Sequence, residues 1–212
     1  MINMNGMDKD KGTQSALNMK KHSSLNLTKA SKSLDRVYFG LGWHCGKNGK
    51  NYDLDASAFL LKANGKVPDV DHVIYFNSEP NKIPYGIEYG GDDRSGSNDD
   101  DTVGGDQETI GIYLKNIPEE IQKVVLTVSI FEAFKNKQNF AQVTNAYIRV
   151  YEKNDTTGAE NELCRFNLTD NYSLFQSIIV ADVKREGSDW TFNTIGEGVQ
   201  GELDTLGLRY GI

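Results

Sequence analysis

Cysteine is nearly absent: the 212 residues hold only Cys45 and Cys164. Two isolated thiols build neither a disulfide framework nor a zinc cluster, and they fit a reducing cytosol. Cys164, in "LCRFNL", reads as a small buried apolar side chain. Histidine is as rare, with His22, His44 and His72. None has a second His or Cys at ligand spacing, which argues against zinc. No apolar run reaches 18 residues, so no membrane-spanning helix is expected. The opening "MINMNGMDKDKGTQSALNMKKH" lacks an apolar core of seven residues, so no secretory leader is expected. Neither G-x-x-x-x-G-K-[ST] nor G-x-S-x-G occurs, and no nucleophile with an oxyanion hole stands out, so an enzyme is not expected. An excess of basic charge is missing too. The net charge is -7, which argues against a nucleic-acid partner and against docking on anionic lipid.

What is present is β-forming sequence. Ten Tyr and nine Phe argue against a disordered chain. Runs rich in β-branched and aromatic residues recur at 36–43, 52–61, 72–77, 110–114, 123–130, 146–152, 163–168, 176–186 and 190–196, with Gly, Asn and Asp between them. "KVVLTVSI" (123–130) is apolar at nearly every position, which predicts a central strand covered on both faces. Helical signals are few: one turn near 116–121, and a C-terminal helix within 198–212. This pattern predicts an all-β fold, an antiparallel β-sandwich of two sheets with few short helices and long acidic loops at one end. Residues 1–23 are polar and predicted to form a disordered N-terminal extension, with the domain spanning 24–212.

The charge is concentrated. "GGDDRSGSNDDDTVGGDQE", residues 90–108, carries seven acids, one base and five glycines. Of 30 acidic and 23 basic residues in all, that leaves 23 and 22 for the rest, a nearly neutral body. At 5 Å and an effective dielectric of 20, each like-charge pair costs on the order of 3 kcal/mol. Such a loop either stays spread out in solvent or gathers around a hard cation such as Ca²⁺, which takes six to eight oxygens. A second acidic feature lies in "YDLDASAFLL". In an extended strand Asp53, Asp55 and Ser57 share one face, and the two carboxylates start roughly 6–7 Å apart. That lets both reach one ion. Neither segment fits the EF-hand loop, so a calcium site would have to be assembled from separate loops.

"YDLDASAFLL", "GGDDRSG…GGDQETI", "QNFAQVTNAYIRV" and "WTFNTIGEGVQGEL" occur in the order and spacing of the TerD family, and the chain resembles that family from Leu25 nearly to its end. The resemblance implies a cytoplasmic, calcium-binding β-sandwich of tellurite and stress resistance, with one or two Ca²⁺. It also implies a protein partner among other resistance-cluster products. Slime-mould cAMP-binding proteins resemble the family as well, which makes cyclic-nucleotide binding the alternative. Carried over position by position, the resemblance marks Asp53, Asp55, Asp92, Asp93, Asp106 and Glu108 as ligands, and Glu132 falls near an often acidic position. The chain departs from the usual pattern with Asn51 for Asp, Asp93 for Asn and Gln107 for Asp. Its connecting loop is longer and carries Asp99, Asp100 and Asp101, of which Asp99 is a candidate ligand or part of a solvated insertion.

Overall fold

A computed structural model describes residues 16–31, 36–44, 52–92, 94, 105–168 and 172–212. Two six-stranded sheets face each other. Sheet one runs β1 (Leu17–Asn18), β10 (Glu160–Asn167), β9 (Thr144–Lys153), β3 (Arg36–His44), β7 (Glu108–Tyr113) and β6 (Glu88–Tyr89). Sheet two runs β2 (Ser24–Asn26), β12 (Asp189–Val199), β11 (Ser177–Glu186), β8 (Ile121–Ile130), β4 (Leu54–Lys62) and β5 (Val73–Ile74). Every pairing is antiparallel except β1 with β10. The expected all-β sandwich is therefore the architecture observed.

Alternation along the strands decides what lies between the sheets. In β4, Leu54, Ala56, Ala58 and Leu60 point into the main core, while Phe59 and Leu61 join a second cluster on the outer face. β8 behaves the same way: Val124, Leu126 and Val128 face inward, and Val125 faces outward. It is covered on both faces, as its apolar sequence predicts. The outer cover is α3 (Leu203–Tyr210), whose Leu206 and Tyr210 pack on Phe59, Leu61, Val125 and Ile179. The expected C-terminal helix is thus shorter than 198–212, because β12 continues to Val199. The turn expected at 116–121 closes earlier, as a 3₁₀ turn at Leu114–Asn116, and β8 then begins at Ile121. α1 (Leu27–Ala30) and α2 (Ala133–Asn136) are single turns.

Most of the expected N-terminal extension falls outside the described residues. From Ala16 on, Leu17 and Asn18 pair with Cys164 and Arg165, and Met19 is buried in the core. Among the described residues, no helix is long and apolar enough to cross a membrane.

Phe39 of sheet one stacks on Phe192 of sheet two, with ring centroids 6.0 Å apart. Both are almost fully buried. Phe192→Ala should therefore remove an inter-sheet contact and leave a cavity costing about 3–5 kcal/mol. A urea melt would read this as a lower midpoint with an unchanged slope.

Candidate functional site

The strand starting at Leu54 has an unequal pair of neighbours. β8 covers its whole length on one side, from Leu54↔Ile130 to Lys62↔Ile121. On the other side β5 pairs only at Ala58 and Phe59. Among the described residues the Leu54–Ser57 stretch therefore has no strand partner on that side, and such an edge has backbone groups that need partners. Glu108 supplies one. It opens β7 opposite Leu41, faces the other sheet, and its Oε2 accepts the Ala56 N–H at 2.5 Å.

Asp92 reaches the same place by a different route. β6 pairs with β7 at Glu88↔Gly111 and Tyr89↔Ile110, and the Gly90 N–H continues the ladder to the Thr109 carbonyl. A Cβ on Gly90 would lie 1.9 Å from Thr109 Oγ1, so a side chain there would break the close approach. Gly91 then takes φ 114°, a conformation that glycine reaches without strain. The next residue is Asp92. The two glycines turn the chain so that Asp53, Asp55 and Asp92 offer carboxylate oxygens all within 4.8 Å of one another. Two oxygens on one Ca²⁺ can be no more than about 5 Å apart, twice the metal–oxygen distance. An all-oxygen group of this size suits a hard cation.

The electrostatics follow from burial. Asp55 is 3% exposed. Burial, then Asp53 and Asp92, pushes its carboxyl up to about 8. Glu108 is pushed up to about 9, first by burial; the Ala56 N–H opposes the rise, and Asp55 and Asp92 add to it. Its Oε1 is buried beside the Tyr89 hydroxyl, yet the pair makes no well-formed hydrogen bond. Arg94, an exposed side chain, pairs with Asp92 at 3.0 Å and opposes the rise at Asp55. A buried group of this kind is relieved either by protons or by a cation.

The remaining candidates sit elsewhere. Asp106 is two residues from Glu108, but the chain turns between them and the carboxylates end on opposite faces of sheet one. Asp106 lies over Gly40, where a Cβ would come within 2.0 Å of its Oδ2. It takes a two-pronged ion pair from Arg149, with Nε–Oδ1 at 2.8 Å and Nη2–Oδ2 at 2.8 Å. Arg149 also bonds Glu160 and stacks over Tyr151 at 4.0 Å. Burial alone would lower its pKa, but its bonds to the two carboxylates raise it. Asp106 is thus committed to structure. Glu132 adopts a left-handed backbone after β8 and pairs with Lys135 at 2.6 Å, outside the carboxylate group. Asp93, Asp99, Asp100 and Asp101 lie outside the described residues. Three participants escaped sequence reasoning: Arg94, Tyr89 and the Ala56 N–H. Arg149 had a signal, as a lone base among the aromatics of "AYIRVYE".

With this geometry, the chain matches the TerD domain family over residues 15–210 and belongs to that family. It is 33% identical to the tellurium resistance protein TerD of Serratia marcescens, across 93% of this chain and 98% of that protein. It is 34% identical to the stress response protein SCP2 of Bacillus subtilis (strain 168), across 92% and 99%. A solved homologue of telluride resistance protein (TerD) from Streptomyces coelicolor A3(2) shares the fold, with a TM-score of 0.61 at 19% identity over 82% of this chain and 96% of that one.

Two measurements check this account. In chelator, the unfolded chain ionises Asp55 and Glu108 near pH 4, whereas the folded chain holds their protons to about 8 and about 9. Stability should then be greatest at low pH and fall as pH rises through that window, by at most about 1.4 kcal/mol per pH unit for each group. Asp55→Asn with Glu108→Gln should flatten the curve in pH-dependent denaturation. Separately, Arg149→Met leaves Asp106 buried without its cation and should cost about 3–5 kcal/mol. Adding Asp106→Asn should recover most of that in a double-mutant cycle.

Proposed function

We propose that this chain is a calcium-binding module acting in tellurite and general stress resistance, a binding protein rather than an enzyme. The observation that carries the reading is the convergence of Asp53, Asp55 and Asp92 within 4.8 Å, with Glu108 buried behind them. Asp53 and Asp55 come from the β4 entry, and Asp92 from the segment after β6. These three would hold the ion, with bidentate carboxylates and water filling a shell of six to eight oxygens. The ion supplies positive charge that offsets the mutual repulsion of the carboxylates. Asp92 stands at the head of the long acidic segment, so holding it fixes one end of that segment against the sandwich. The surface ordered in this way would meet a protein partner.

The resistance role is supported by the names of two relatives, a tellurium resistance protein and a stress response protein. Tellurite chemistry at the Cys164 thiol is a poor alternative, and Cys45 lies outside the described residues. Cys164 is fully buried, and burial, then Glu162, pushes its thiol up to about 12, which leaves little thiolate. A cytoplasmic setting accords with two cysteines and no disulfide framework.

Calcium calorimetry on four proteins tests the reading. Wild type should bind and Asp53→Asn and Asp92→Asn should lose at least tenfold in affinity, while Asp106→Asn should keep the wild-type affinity. At a hundredfold excess over Kd, calcium should stabilise the fold by about 2.7 kcal/mol and raise Tm. An unchanged Tm between full chelation and millimolar calcium would sink the proposal.

A further inference from the structure

Seven large apolar side chains are exposed among the described residues, and four of them, Val70, Phe131, Leu208 and Ile212, line one groove. Such a concentration is unlike the scattered single apolar residues of an ordinary surface. The groove encloses about 580 Å³, within the range of small-ligand sites. It lies on the outer face of sheet two. α3 lines it through Leu203, Gly207 and Leu208, with Ile212 packed beside Gly207, and Tyr75 and Phe76 line it as well. Phe59, Asp55 and Ser129 also line it, and β4 and β8 pair Asp55 directly with Ser129.

The charge within the groove is one-sided. Asp55, Glu202 and Asp204 line it, and its described lining contains no Lys, Arg or His. Ser57 stands between Asp55 and Phe59 on the same strand face. It is 1% exposed, and its hydroxyl has no hydrogen-bond partner among the described residues. An apolar trough lined by Asp55, Ser129, Glu202 and Asp204 matches an amphiphile with a positive head.

We propose that this groove binds a small organic amine, an alkyl or aryl body carrying a primary ammonium group. The body lies between Leu208 and Tyr75. The ammonium, with three N–H donors, meets a carboxyl oxygen of Asp55 and the Ser129 hydroxyl, and Glu202 and Asp204 supply the negative potential at the rim. This binding needs no metal, so it stands apart from the calcium reading although both involve Asp55.

The test is calorimetry in chelator with three probes that share one chain, dodecylammonium, dodecanol and dodecanoate, each below its micelle concentration. Dodecylammonium should bind one to one and at least tenfold tighter than dodecanol, and dodecanoate should show no saturable binding. Asp204→Lys, at an exposed position, should weaken dodecylammonium at least fivefold. Gly207→Leu crowds the groove at a position where an added Cβ lies 3.3 Å from Ile212, so it should abolish binding, with circular dichroism checking the fold. Equal affinity for the three heads, preference for dodecanoate, or binding that survives Gly207→Leu would overturn the proposal. So would a stable dimer that buries the groove in the untreated protein. Should Gly207→Leu not fold, the charge reversal at Asp204 decides alone. Loss of calcium binding in a separate titration would leave the amine result standing.

Discussion

Glu108 crosses from one sheet to the other and accepts the Ala56 N–H. Much of the acidic end of the molecule depends on that contact. β5 leaves β4 after two paired residues, so among the described residues the first half of β4 has no strand partner on that side. Water could satisfy that edge, but here a buried carboxylate does so and couples the two sheets where no strand joins them. The consequence is electrostatic. Asp55 and Asp92 lie close enough to Glu108 that each raises its pKa further above the level that burial sets. A structural hydrogen bond thus prepares a site in which further negative charge is costly and a proton or a cation is favoured.

Sheet one resolves its own acids differently. On its outer face Arg149 reaches Asp106 and Glu160, and Arg165 holds Glu162, each arginine lying over a tyrosine. Gly40 leaves room for the Asp106 carboxylate to lie flat against the strand. Carboxylates that meet guanidinium groups serve as ties. At the entry to β4, the exposed Arg94 lowers the pKa of Asp55, against the larger effects of burial, Asp53 and Asp92.

Much of the fold was legible because strand alternation is local. In "YDLDASAFLL" the chain itself says that Asp53, Asp55 and Ser57 share a face opposite Leu54 and Ala56, and the structure keeps that division. "KVVLTVSI" shows equally well that it is covered on both sides. The strand expected at 72–77 was less legible. Only Val73 and Ile74 pair, and Tyr75 and Phe76 turn away to line the groove. Aromatic residues suit both a strand and a groove wall, so propensity alone does not separate the two.

The acidic residues divide along the same line. The sequence by itself determined that two carboxylates enter β4 on one face, and that a glycine pair frees the chain just before Asp92. Both are properties of a few consecutive backbone units. Only the tertiary structure decided which other acids join them. Asp106 and Glu108 are two residues apart, yet one chain turn sends the first to Arg149 and the second across to Ala56. Proximity among charges depends on register between strands remote in sequence, and no local pattern carries that information.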